Sequence, residues 1–141
     1  MFSEEALYNS LLKTFETIAF MDVERLEERP ENFNFSNFMH VKISFEGDHD
    51  GVIHALFPRE LAGQIAESLY MIEASEQTPE IQEDLVKEIA NTYAGLYMAE
   101  TNDEDKLFTL GFPELVEEFS DLGENSFYYG IEDYIVHLGV K

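Results

Sequence analysis

The stretch Val41-Lys42-Ile43-Ser44-Phe45-Glu46-Gly47-Asp48-His49-Asp50-Gly51-Val52-Ile53-His54-Ala55-Leu56-Phe57 reads as a β-hairpin. Val41, Ile43 and Phe45 alternate with Lys42, Ser44 and Glu46, which puts apolar side chains on one face of a strand and polar ones on the other. Gly47 and Gly51 bracket Asp48-His49-Asp50, a run of turn formers with two positions free to take positive φ. The apolar run 52–57 then returns as the second strand. One face of such a pair must be covered, and the flanking sequence supplies helices to cover it.

Upstream, residues 4–21 form an amphipathic helix in which Leu7, Leu11, Leu12, Phe15, Ile18 and Ala19 recur at three- and four-residue spacing. Residues 22–35 are charged and contain Pro30, Asn32 and Asn34, the composition of a loop leading into an edge strand. Downstream, Pro58 suits the first turn of a helix, and Leu61, Ala62, Ile65, Leu69 and Ile72 carry that helix to about Met71. After a polar connector over 73–79, a third helix starts near Pro79 with Glu80, Glu83 and Asp84 at its positive end and runs to about Glu100. An acidic loop over 101–105 follows. Residues 107–112 then predict a strand stopped by Pro113, and 127–131 and 134–140 predict two more around a tight turn at Glu132-Asp133. The fold class expected is α+β: an antiparallel-rich sheet packed against helices, as a single domain over residues 1–141.

Composition narrows the function. Eight Lys and Arg stand against 30 Asp and Glu, a formal net charge of −22. Phosphate backbones and anionic lipid both select basic surfaces, so neither nucleic acid nor a membrane surface is an expected partner. There is no cysteine, which removes disulfides, thiolate metal sites and a cysteine nucleophile together. The 12 Phe and 7 Tyr argue for a packed core and against disorder. Acids stand at the N-terminus, where a secretory signal would need basic residues, and no apolar run is long enough to span a bilayer. A cytoplasmic protein is expected.

The third helix carries the chemistry. Asp84, Glu88, Asn91 and Gly95 lie at offsets 0, 4, 7 and 11, and at about 100° per residue they share a stripe roughly 60° wide. Leu85, Val86, Ile89, Tyr93, Leu96 and Tyr97 fall on the other side, so the helix should bury those and turn the stripe outward. Every surface helix has a solvated face, but two residues here serve solvation poorly. Gly95 costs a helix interior about 1 kcal/mol relative to alanine, and leaves a bare spot where another backbone can come close. Asn91 is a middling helix former whose side chain offers a donor and an acceptor without titrating, which suits orienting a water beside a phosphoryl group.

Asp84-x3-Glu88-x2-Asn91-x3-Gly95 resembles the Asp/Ser-x3-Glu-x2-Asn signature of the CheC/CheX/FliY phosphatases of bacterial chemotaxis. The hairpin over 41–57, the helix after it, Leu110-Gly111-Phe112-Pro113 and the closing strands are similar to that family's pattern over most of the chain. Ser10-Leu11-Leu12-Lys13 also lines up faintly with Asp84-Leu85-Val86-Lys87, yet the first helix offers only Ser10, Thr14 and Thr17 at the signature offsets. One signature copy and this chain length point to the CheX-like branch. The resemblance implies a CheC-like fold, a homodimer, and a phosphorylated CheY-like response regulator as substrate. It implies that Asn91 positions the water attacking the regulator's phosphoaspartate, that Glu88 pairs with the regulator's active-site lysine, and that Asp84 and Gly95 support docking. Mg²⁺ would belong to the regulator, and this chain would need no cofactor. The alternative is a non-catalytic dimeric docking module that keeps the fold and binds a receiver domain or another signalling partner.

Other constellations read as structural. His40, His49, His54 and His137 lack the spacing of a zinc site, and Asp103-Glu104-Asp105 lacks the spaced oxygens and glycine of a calcium loop. No phosphate-binding loop, nucleophile elbow or dinucleotide fingerprint occurs.

Overall fold

The computed structural model describes residues 2–30, 37–117 and 122–141. Helix α1 (Glu4–Ala19) is capped by Ser3, whose Oγ accepts a hydrogen bond from the Ala6 amide at 3.1 Å. The segment expected as a loop over 22–35 begins instead with a strand, β1 (Val23–Leu26). Only Val23 of these four is buried, while Glu24 and Arg25 are exposed, so apolar alternation never shows in the sequence. Asn32 and Asn34 of that expected loop lie outside the described residues.

The hairpin forms as β2 (Phe38–Glu46) and β3 (Gly51–Pro58), in a register that pairs Val41 with Ala55 and Ile43 with Ile53. Pro58 ends β3 and serves as N-cap, so α2 (Arg59–Tyr70) starts one residue later than expected. Met71 takes left-handed backbone, φ 57°, and stops α2 there. Leu69 therefore sits in the last turn, 43% exposed, and is not the core residue its spacing predicts. A 3-10 turn (Ala74–Glu76) interrupts the connector. Helix α3 (Pro79–Thr101) follows, with Thr78 Oγ1 accepting from the Ile81 amide at 3.3 Å.

Four more strands complete the sheet: β4 (Thr109–Leu110), β5 (Glu114–Val116), β6 (Ser126–Ile131) and β7 (Tyr134–Val140). The strand order is β1-β6-β7-β3-β2-β4, with β5 also on β2, and every pairing is antiparallel. The single strand expected over 107–112 is a correction. Leu110 pairs with Phe45 and Glu114 with Lys42, so this side spends one residue more than β2 does. The excess is a bulge at Gly111-Phe112-Pro113. The Gly111 amide still reaches Ser44 O at 2.8 Å, but Pro113 has no N–H to offer and Phe112 is pushed out, 91% exposed.

One hydrophobic core joins helices and sheet. Met39, Val41, Ile43 and Phe45 of β2 and Ile53, Ala55 and Phe57 of β3 are all buried and share the face on which α3 packs. Ring pairs tie the layers together: Phe15 to Phe57 at 6.1 Å, Phe57 to Tyr93 at 6.3 Å, and Phe45 to Tyr97 at 6.1 Å between centroids. Each such pair adds about 0.5–1.5 kcal/mol beyond its burial. The α3 end is pinned separately. Asn102 Oδ1 accepts from the Asp48 amide at 2.9 Å, Asp48 Oδ2 accepts from the Asp103 amide at 2.8 Å, and His49 Nε2 meets Thr101 Oγ1 at 3.1 Å. The hairpin tip thus clamps the last turn of the signature helix. A Cβ at Gly47 would collide with Asn102 Oδ1, so that turn requires glycine.

Candidate functional site

Helix α3 divides largely as its periodicity requires, except that Leu96, expected on the apolar face, is only half-buried. Leu85, Val86, Ile89, Ala90, Tyr93, Ala94, Tyr97 and Met98 are buried. Asp84, Glu88 and Asn91 are exposed on the opposite side, and Gly95 is half-buried in line with them. The structure therefore brings all four sequence-selected residues onto one outward stripe. The buried phenols behind it anchor the helix: Tyr93 and Tyr97 are both inaccessible to solvent. Burial holds both phenols above their ordinary range, so they stay neutral and serve packing.

The stripe is chemically open. Among the described residues, neither the Asp84 carboxylate nor the Asn91 amide is engaged by another side chain, and no Lys or Arg pairs with Glu88. Glu88 Oε2 does accept a hydrogen bond from Tyr70 Oη, at 3.0 Å, across from the last residue of α2. Tyr70 is the residue that sequence reasoning missed, since it lies 18 positions from Glu88 and off the apolar spacing of its own helix. A Cβ built at Gly95 meets only Leu110 Cδ1, at 3.9 Å, which is ordinary contact. The fold does not need glycine there. Leu110 thus borders this end of the stripe.

The first helix presents no second site. Ser10 and Thr14 are buried and satisfy themselves on their own helix, Ser10 Oγ donating to Leu7 O at 2.8 Å and Thr14 Oγ1 to Ser10 O at 2.7 Å. Thr17 alone of the three is exposed.

The four histidines do not converge on one point, although two of them touch. His40 and His137 are buried in the sheet, His40 Nε2 lies 2.9 Å from His54 Nδ1, His137 stacks on Tyr128 at 4.0 Å, and His49 belongs to the hairpin clamp. Among the described residues no three His, Asp or Glu side chains converge as a metal-ligand set. No helix among them is long and apolar enough to cross a membrane.

Comparison with known proteins follows the same line. The family model described as chemotaxis phosphatase CheX matches residues 39–121, which hold the hairpin, α2, α3 and the bulge. No curated protein matches the chain significantly. Among solved structures, the chain is similar to the chemotaxis protein CheX of Vibrio vulnificus, with 16% identity, 98% of each chain covered and a TM-score of 0.71. It is similar to a CheC-like chemotactic protein of Shewanella oneidensis at 18% identity, covering 97% of this chain and 95% of that one, with a TM-score of 0.71. It is also similar to CheX of Borrelia burgdorferi, solved in a complex with CheY, BeF3 and Mg²⁺, at 14% identity, covering 96% of this chain and 94% of that one, with a TM-score of 0.69.

Proposed function

Because this chain belongs to the CheX family of chemotaxis phosphatases, we propose that it accelerates hydrolysis of the phosphoaspartate of a CheY-like response regulator in the cytoplasm. The observation that carries this reading is the exposed, unengaged Asn91 amide, set three residues from Glu88 on a helix whose other face is locked into the core. Phosphoryl transfer asks a protein for positioning and charge stabilisation more than for covalent help. A carboxamide can accept a hydrogen bond from water through Oδ1 while Nδ2 donates to a phosphoryl oxygen, which holds the water in line. Glu88 supplies an anionic contact for the regulator's lysine. Asp84 adds negative charge on the approach, and Gly95 leaves room for the regulator's backbone.

Mg²⁺ in this reading is the regulator's own ion, where it offsets phosphoryl charge, and this chain contributes none of its ligands. Support comes from the Borrelia CheX structure, which was solved with CheY, BeF3 and Mg²⁺. The protein acts as a homodimer. In the described residues β1 closes one end of the sheet with its outer edge uncovered by another strand, an edge that a second copy could protect.

The test measures regulator binding and phosphoregulator decay for the parent, Asn91→Ala and Glu88→Ala. Both substitutions are on the surface and should move stability by less than about 0.5 kcal/mol. Asn91→Ala should still bind while losing about a hundredfold or more in rate, and Glu88→Ala should bind more weakly as well. Decay as fast with Asn91→Ala as with the parent would replace the catalytic reading by that of a docking module.

A further inference from the structure

Glu88 is an exposed carboxylate with three rotatable side-chain bonds, and a free surface glutamate samples several rotamers. A contact that depends on it would have to freeze that motion on every encounter. In this chain the motion is already restricted, because Tyr70 Oη donates to Glu88 Oε2 at 3.0 Å. The backbone that carries the donor is held in place. Tyr70 is the last residue of α2, Met71 turns the chain away in left-handed backbone, and Gln77 Nε2 ties the following connector to Gly63 O at 2.9 Å and Ile72 O at 3.3 Å. Tyr70 remains 39% exposed, and Asp84, Glu88 and Asn91 stay exposed beside it.

We propose that Tyr70 is a positioning residue that holds Glu88 Oε2 so that Oε1 stays turned outward to receive a cationic side chain of the partner. This rests on the role given to Glu88 above. An ionised carboxylate has two oxygens and about four lone-pair directions, so a phenol on one oxygen leaves the other free for an ammonium group. A tyrosine suits the task better than a lysine or arginine would. It orients the carboxylate with a charge-assisted hydrogen bond and does not neutralise it. Partial burial, then the hydrogen bond to Glu88 and the negative charges of Glu88 and Asp84, raise the Tyr70 phenol above its ordinary value, and it is a protonated donor at neutral pH. Restricting Glu88 before the encounter removes an ordering cost from binding, and the benefit appears in association with the regulator more than in the chemical step.

The experiment uses Tyr70→Phe, which keeps the ring and deletes the hydroxyl, in the full chain. Two readouts are taken. Three-bond Hα–Hβ and Cα–Hγ couplings of Glu88 report its χ1 and χ2 distributions without any reference to activity. They should show one dominant rotamer in the parent and averaging in Tyr70→Phe. Phosphoregulator decay should show KM raised about three- to tenfold with kcat within twofold of the parent, and no further rise when Tyr70→Phe is added to Glu88→Ala. Unchanged Glu88 couplings would overturn the inference whatever the kinetics. An equal rise in KM in the Glu88→Ala background would also overturn it, because Tyr70 would then be touching the partner directly. If the parent accelerates no regulator while the couplings respond as expected, the proposed function has failed and the coupling of Tyr70 to Glu88 stands.

Discussion

Replacing Gly95 separates what the fold needs from what the stripe needs. Gly95 lies well inside α3 (Pro79–Thr101), where glycine is about 1 kcal/mol worse than alanine. A Cβ there meets nothing nearer than Leu110 Cδ1 at 3.9 Å, so alanine gains its helical propensity with no clash to offset it. Gly95→Ala should therefore stabilise the protein by about 0.5–1 kcal/mol, which for a domain of this size raises Tm by about 2–4 °C. Gly47→Ala is the internal contrast, since its Cβ would strike Asn102 Oδ1 and should lower Tm. Gly95→Leu places a branched side chain on the stripe itself and should raise KM for the phosphorylated regulator by about tenfold or more with no loss of Tm. Differential scanning calorimetry and phosphoregulator decay, run on the same preparations, check both halves. A fall in Tm for Gly95→Ala would refute the packing argument. An unchanged KM for Gly95→Leu would refute the claim that a partner's backbone approaches there.

Further outcomes follow from the buried groups and the charge. Burial first, then His40, Lys141 and Lys42, lower His54 from 6.5 to about 4. The unfolded chain therefore takes up this proton before the folded one does, and the His54 share of stability is lost as pH falls from about 6.5 towards 4. The full shift corresponds to about 3 kcal/mol, and screening at this partly exposed site leaves roughly 1–2 kcal/mol. Urea unfolding at both ends of that window, for the parent and His54→Asn, should show the variant losing less. Tyr93 Oη is buried with no hydrogen-bond partner among the described residues, so Tyr93→Phe should hold or raise stability, by up to about 1 kcal/mol in a thermal melt. With a net charge of −22 approaching the acidic pocket of a receiver domain, association should quicken as salt is added, and stopped-flow rates that fall with salt would contradict this. Light scattering should return a dimer mass.

The hairpin and the three helices were legible because their apolar residues keep a strict period over many positions, as Val41, Ile43 and Phe45 do in β2. Features shorter than a period stayed hidden. β1 has one buried residue among four, and no pattern can be read from one position. The bulge at Gly111-Phe112-Pro113 looked like the end of a strand because Pro113 cannot donate, whereas β2 has acceptors and donors enough to resume pairing at Glu114. The stripe was legible for the same reason as the helix that bears it. Tyr70 was not, because its hydrogen bond to Glu88 depends on where α2 ends and how the connector returns, and that is set by Met71 and Gln77, not by any spacing in the chain.

The contrast between α1 and α3 accounts for a single outward signature stripe among the described residues of a chain with a faint internal repeat. At matching offsets α1 carries Ser10 and Thr14, and both are sunk against its neighbours with their hydroxyls returned to their own helix. A buried hydroxyl can make that bond, but a buried aspartate and glutamate at the same two positions would need partners that α1 does not have. The polarity of the two helices thus follows from their orientation. α3 turns its signature positions to solvent because Phe57 and Phe45 hold Tyr93 and Tyr97 from the sheet side, while α1 turns the first two equivalent positions inward and leaves only Thr17 outside. Restoring Glu and Asn at Thr14 and Thr17 would therefore not create a second site. Thr14→Glu would bury an unpaired carboxylate and cost several kcal/mol before any partner arrived.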